Sequence, residues 1–154
     1  MLFRSGRTGE WFFAGSEAGA GAVSDIITLA KALGSGIPVG ACLVNEQVAA
    51  QIKENDLGTT FGGGMIAMAA VNATLDAIAD ENMLENVRMV EAYLRERLKE
   101  VTQVVNVRGK GFLLGLEFSE KAKPLHEQLL ERKIITGTSS DPNEIGRASC
   151  RERV

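Results

Sequence analysis

The chain has 154 residues, 45% hydrophobic and 24% charged, with 17 glycines, 3 prolines, 5% aromatics and a formal net charge of −3. That balance excludes a disordered, collagen-like or coiled-coil chain, and the mild acidity with few aromatics argues against nucleic acid or an anionic membrane as partner. No apolar run approaches the ~18 residues that span a bilayer and the N-terminus lacks the charged and apolar regions of a secretory signal, so the chain reads as cytoplasmic.

The first residues, Leu2-Phe3-Arg4-Ser5, can be encoded by CTC TTC CGA TCT. The reverse complement of that stretch, read in another frame and extended by one codon, encodes the string found at Ile145-Gly146-Arg147-Ala148. Both ends resemble translated arms of a sequencing adapter, so residues 1–5 and 144–154 are expected to be extraneous and are set aside from fold reasoning. Without them 13 basic and 18 acidic residues remain over 6–143, a net of −5, and this span reads as an interior piece of a longer acidic protein.

Gly6-Arg7-Thr8-Gly9 has turn composition, Trp11-Phe12-Phe13 follows it, and the small residues of 14–21 suit a surface loop. Residues 26–30, Ile-Ile-Thr-Leu-Ala, form a short β-branched and apolar run that fits a buried strand ending at Lys31. Residues 39–44 are a second apolar run; within it Cys42 reads as a buried structural thiol. Cys42 and Cys150 stand too far apart, and without partners at ligand spacing, to suggest a disulfide framework or a zinc site, and no metal is expected. Residues 45–52 have the pattern of a short helix. Thr59-Thr60-Phe61-Gly62-Gly63-Gly64 then opens a helix over 65–78, apolar around most of its circumference, as in a helix buried on several sides. Its Asn72-Ala73-Thr74 is a glycosylation sequon in form only, because it lies in a buried-type helix.

Residues 81–101 read as a separate amphipathic helix, with Leu84, Val87, Val90, Leu94, Leu98 and Val101 recurring at spacings of three and four. Glu91, Arg95, Glu96 and Lys99 then fall on a solvated face. Two strands, 104–107 and 112–118, flank the break Arg108-Gly109-Lys110-Gly111, with Phe112, Leu114, Leu116 and Phe118 alternating onto one face. Pro124 suits the first position of a helix over 124–133, on which His126 reads as a surface histidine, and Ile134-Ile135 begins a further strand. The elements imply an α/β class, with a change of polarity near Asp80 separating an α/β part from a smaller α+β part.

Three features could carry chemistry. Lys31 sits at the end of an apolar strand, where partial desolvation disfavours the ammonium and leaves an amine able to form an imine; a snorkelling surface lysine is the other reading. The segment 59–64 offers a threonine hydroxyl and free amides at a helix start, an anion site on one reading and a glycine-rich hinge with a threonine cap on the other. No Gly-Lys-Ser/Thr follows at the spacing of a P-loop, and the Gly34-to-Gly40 spacing misses the dinucleotide pattern. Arg108 could bind a carboxylate or simply belong to a basic turn.

In order along the chain, Gly6-Arg7-Thr8-Gly9, the run from Ser24-Asp25-Ile26 through Ala30-Lys31-Ala32 to Val39-Gly40-Ala41, Thr60-Phe61-Gly62-Gly63 and Val107-Arg108-Gly109-Lys110-Gly111 resemble the motifs of class III pyridoxal-phosphate aminotransferases, most of all the acetylornithine and ornithine group. The resemblance spans nearly all of 6–143 and implies a fragment of a fold-type I PLP-dependent transferase. Residues 6–80 would be the end of the large domain with the interdomain helix, and 81–143 part of the small domain. It implies that Lys31 is the catalytic lysine, holding pyridoxal 5'-phosphate as an imine and then acting as general base. It implies that Thr60 reaches the cofactor phosphate of the partner subunit in a homodimer with shared active sites. Arg108 matches a family arginine without an assigned contact. Ser24 stands where the family commonly has proline and Gly64 where it has asparagine.

The implied reaction is transfer of an amino group from an ω-amine such as N-acetylornithine to 2-oxoglutarate. A mutase, a decarboxylase or another ω-amine transaminase of the same class is the alternative, as is a short non-enzymatic protein that dimerises with or regulates a full-length relative. The family's ring-binding aspartate would precede Gly6 and its substrate-carboxylate arginine would follow Asn143. The phosphate loop and ring-stacking aromatic would lie upstream, so the 154-residue chain by itself is expected to be inactive.

Overall fold

A computed structural model describes residues 2–3, 6–12 and 24–148. The loop expected over 14–21, Phe13 and Cys150 lie outside the described residues. The chain divides into two compact units, Met1–Gly6 with Glu10–Leu84, and Arg7–Gly9 with Glu85–Val154.

In the first unit β1 (Leu2–Phe3), β2 (Ile26–Leu29) and β3 (Ala41–Val44) form a sheet in that order, β1 parallel and β3 antiparallel to β2. Opposite pairs run from Ile26 and Val44 to Leu29 and Ala41. A 3-10 turn, Lys31–Gly34, leaves β2. Asn45 caps the short α1 (Glu46–Ala49), its side chain accepting from the Val48 N–H at 2.9 Å. The helix α2 (Met65–Asp80) follows the glycine turn. Leu29 and Leu33 are the buried centre, packed by Phe12, Ile27, Val39, Ala41 and Val71.

Three burial expectations are corrected here. Only Leu29 of β2 is buried, and Ile26 is 54% exposed. Cys42 is exposed, because it lies on the edge strand β3, where only Ala41 is half-buried. The helix α2 has no buried residue: Met65 is 89% and Ile66 76% exposed, and the side that touches the small core through Val71 is only half-buried.

Asn82, in the left-handed region at φ 50°, ends α2 and starts α3 (Met83–Leu98), a conformation asparagine tolerates. In the second unit β4 (Val104–Lys110), β5 (Leu113–Phe118), α4 (Lys123–Glu131), β6 (Thr136–Thr138) and β7 (Glu144–Ala148) follow, the sheet running β4-β5-β7-β6 with every neighbour antiparallel. Leu114 and Phe118 are buried on the face expected, and Phe118, Ala122 and Ile145 centre a core with Val104, Leu116, Leu125 and Leu129. β1 and β7 are formed by residues of the end segments read above as extraneous. Pro124 is the second rather than the first residue of α4, and β6 starts at Thr136 rather than at Ile134, after Lys133 turns the chain at φ 61°.

The expected break at 108–111 is narrower than its glycines suggest. Strand β4 continues to Lys110, which pairs with Leu113, so only Gly111 and Phe112 form the turn. On α3 the inward stripe is Leu84, Val87, Glu91, Leu94 and Leu98, with Val90 and Val101 outside it and 38% and 40% exposed. Glu91, expected in solvent, is 14% exposed in its side chain, pairs with Arg95 Nε at 2.8 Å and accepts the Gly111 N–H at 2.6 Å. Arg95 donates to the carbonyls of Val107 at 3.3 Å and Gly109 at 2.6 Å. The polar stripe therefore pins the hairpin turn, whose carbonyls and amide would otherwise lack partners.

Gly111 has φ +59° and its α-carbon lies against the Arg7 carbonyl and the Thr8 backbone, leaving no room for a Cβ. Gly111→Ala is expected to destabilise the second unit by about 2–4 kcal/mol, read as a lower urea midpoint. A midpoint unchanged within error would show that the close approach does not exist in solution.

Candidate active site

Within the first unit, the sequence brings a lysine to the exit of a strand and then forces a turn. Ala30 is extended and Lys31 adopts φ 64°, a left-handed conformation that costs a non-glycine residue about 1–2 kcal/mol. Ser35 at φ 47° and Gly36 at φ 113° complete the turn, with Ser35 N–H donating to Ala32 C=O at 3.1 Å and Ile37 N–H to Gly34 C=O at 3.0 Å. Leu33 and Leu29, buried on either side, hold the turn against the sheet. Lys31 itself is exposed and makes no ion pair among the described residues. The partly desolvated setting expected from its strand is thus an open one in this chain, because β2 is covered only at Leu29. Lys31 thus combines a left-handed backbone, uncommon for a non-glycine residue, with an exposed side chain.

Thr60 lies in the turn before α2 and is exposed. Gly64 is the N-cap and offers no side-chain acceptor, so the first amides of α2 point outward without partners from the cap. Gly63 has φ +69°, a conformation that favours glycine, and open space lies where a side chain would stand. Thr60 thus lies exposed a few residues ahead of an uncapped helix start. Lys31 and Thr60 stand on separate elements of this unit, and no hydrogen bond joins them.

In the second unit Arg108 is committed elsewhere, its Nη2 lying 2.7 Å from Glu144 Oε2, which also accepts from Ser139 Oγ at 2.9 Å. His126, read as a surface residue, is half-buried; its Nδ1 lies 2.7 Å from Thr136 Oγ1, which the neighbouring β6 supplies. It borders a cavity of about 350 Å³ with Ala122, Gly137, Ser139 and Ile145. The inward role of Glu91 and Arg95 was hidden in the sequence because an i, i+4 ion pair is the usual mark of a solvated face. Glu91 replacing an apolar residue on a three-four spacing from Val87 to Leu94 was the available signal.

A lysine on a left-handed turn at a strand exit and an uncapped helix start behind a glycine turn are the two notable local features of this unit. The model of the aminotransferase class-III family matches residues 4–145, and the chain belongs to that family. It is 38% identical over 134 residues to the acetylornithine aminotransferase of Archaeoglobus fulgidus, a match covering 87% of this chain and 34% of the relative. The Streptomyces coelicolor acetylornithine aminotransferase is 43% identical over 117 residues, covering 75% and 29%. Among solved structures, the acetylornithine aminotransferase from Elizabethkingia anophelis superimposes with a TM-score of 0.76 at 31% identity, over 92% of this chain and 37% of that one. An S-selective transaminase from Arthrobacter sp. gives 0.77 at 27% identity, over 92% and 36%. The chain thus spans about a third of the length of the relatives it matches, and its fold is a fragment of the fold-type I α/β architecture.

In the full-length protein freed of any cofactor, Lys31→Gly is expected to raise stability by roughly 0.5–1 kcal/mol, because relief of the left-handed strain exceeds the added entropy of the unfolded chain. A lower thermal midpoint than that of the parent would show that the turn is not strained.

Proposed function

We propose that the protein to which this chain belongs transfers an amino group from an ω-amine such as N-acetylornithine to 2-oxoglutarate, with pyridoxal 5'-phosphate as cofactor. Lys31 carries the reading: an exposed, unpaired amine on a left-handed turn at the exit of β2, inside a class III aminotransferase match that runs from residue 4 to residue 145. Lys31 Nζ would hold the cofactor covalently. The cofactor, when bound, supplies the electron sink that makes a carbon next to an amine acidic. Lys31 Nζ, released by the incoming substrate amine, takes up and returns that proton as general base, a role its placement on a rigid strand exit favours.

Thr60 Oγ1 and the open amides of α2 would bind the cofactor phosphate in a second copy of the chain. The exposed Leu57, Phe61, Met65 and Ile66 around that turn support a homodimer, since an apolar cluster of this kind is rarely left in water. Residues 6–80 would then be the end of a large domain and 81–143 part of a small one, in a cytoplasmic enzyme. The acetylornithine names of the 38% and 43% identical relatives support the choice of donor. The 154 residues alone hold the lysine and the threonine but too little of the frame to turn over.

Borohydride reduction of the full-length protein with pyridoxal phosphate is expected to leave the pyridoxyl label on the peptide bearing Lys31, and Lys31→Ala to abolish it together with transamination of N-acetylornithine. Label on a different lysine would overturn the assignment. Thr60→Ala is expected to weaken cofactor binding by about tenfold, the loss of one hydrogen bond to a charged group, with the label still at Lys31. Unchanged affinity, measured by absorbance titration of the apoprotein, would remove Thr60 from the phosphate site.

A further inference from the structure

The connection from β2 to β3 runs from Ala30 to Gly40 and lies wholly in the first unit. Its two ends are paired in the sheet, Leu29 standing opposite Ala41. Between them the chain makes the 3-10 turn Lys31–Gly34, in which Leu33 and Gly34 are buried, and returns along Ile37-Pro38-Val39. Ser35 N–H donates to Ala32 C=O within the turn, and Ile37 N–H donates to Gly34 C=O from the returning chain. Pro38 stiffens that return, because its ring fixes its own φ and restricts the residue before it. Val39, half-buried, then packs on the Leu29–Leu33 core.

Gly34 is where the outgoing and returning chains meet. A Cβ on Gly34 would stand 2.6 Å from Val39 Cγ1, well inside the contact distance of two carbons. It would lie 3.6 Å from Ile37 Cβ and 3.7 Å from Val39 Cβ, both ordinary contacts. A single methyl group of Val39 therefore excludes a side chain at this position. Gly34 is not among the glycines with positive φ, so its backbone makes no demand for glycine and the exclusion is one of space. Val39 cannot readily swing that methyl aside, since a β-branched side chain is stiff at χ1 and this one is held against the core. An added methyl would have to push Gly34 and Val39 apart, and Gly34 closes the same four-residue turn in which Lys31 takes its φ of 64° and Leu33 its buried place.

We propose that Gly34 and Val39 are positioning residues for Lys31: the bare α-carbon of Gly34 seats a methyl of Val39, and that seat fixes the turn that presents Lys31 Nζ. Its meaning for catalysis rests on the reading of Lys31 as the cofactor lysine, and its mechanics on contacts within this unit.

The test is a double-mutant cycle in the full-length protein with Gly34→Ala, Val39→Ala and the pair. Each is read by hydrogen exchange at the Ser35 and Ile37 amides without cofactor, and by absorbance titration with pyridoxal phosphate. Gly34→Ala is expected to speed exchange at both amides by about tenfold and to weaken cofactor binding by a similar factor, as overpacking displaces the turn. Val39→Ala, which empties the seat without a clash, is expected to change each by about threefold. Added to Val39→Ala, Gly34→Ala is expected to change neither any further, because its methyl then meets only the contacts at 3.6 and 3.7 Å. An effect of Gly34→Ala that is absent, or that persists undiminished beside Val39→Ala, would overturn the seat. Faster exchange at Ser35 and Ile37 with cofactor affinity unchanged would overturn the positioning role, and a uniform increase at all protected amides would overturn it as general destabilisation. If Gly34→Ala alone does not fold, recovery of folding in the pair supports the seat, and Val39→Ala carries the comparison of affinity, where no change overturns the proposal. Exchange without cofactor does not depend on where the pyridoxyl label lands, so failure of the lysine assignment and failure of the seat are separate results.

Discussion

Leu29 and Leu33 are the buried side chains of the first unit, and Lys31 stands midway between them. Burying two leucines four residues apart on either side of a lysine forces the backbone to leave the strand, turn sharply and return apolar atoms to the same patch. A continued strand would not do this, because positions two apart share a face and Lys31 would follow Leu29 toward the core. The left-handed φ of Lys31 resolves the conflict by rotating its side chain out while Leu33 comes back in. Burial of the two leucines, worth about 1.5–3 kcal/mol each, covers the strain of one left-handed residue.

The same small core explains why α2 has no fully buried residue. Only Val71 of its sixteen residues packs on the Leu29–Leu33 patch, and Val71 lies on one side of a helix whose other sides carry Met, Ile, Leu and Ala. A helix apolar all round is built for neighbours on several sides. Phe61, Met65 and Ile66 are accordingly exposed at its start.

The second unit is organised differently, around an antiparallel sheet whose hairpin turn is held by charge as well as by packing. Leu114 and Phe118 supply the apolar face of β5, while the turn at Gly111 and Phe112 takes its hydrogen bonds from α3 and from the carbonyl of Arg7. Glycines at 109 and 111 allow the close approach, since each has a positive φ and a backbone neighbour where a Cβ would stand. A side chain at either position would run into backbone, so the turn depends on both glycines.

Local pattern determined a good deal of this protein. The β-branched run at 26–29, the alternation of Leu114 and Phe118, the spacing of Leu84, Val87, Leu94 and Leu98 and the cap at Asn45 each specify an element through the preferences of a few neighbouring residues, and the ordered motifs around Lys31 and Thr60 specified the family. Burial was decided only in three dimensions, because it depends on what lies opposite: Cys42 faces outward on an edge strand, α2 is exposed, and Glu91 with Arg95 faces inward despite looking like a surface ion pair. The left-handed backbone of Lys31 was likewise invisible, since nothing about a lysine favours it; it appears only where β2 ends at Leu29 and the chain turns to bring Leu33 into the same core.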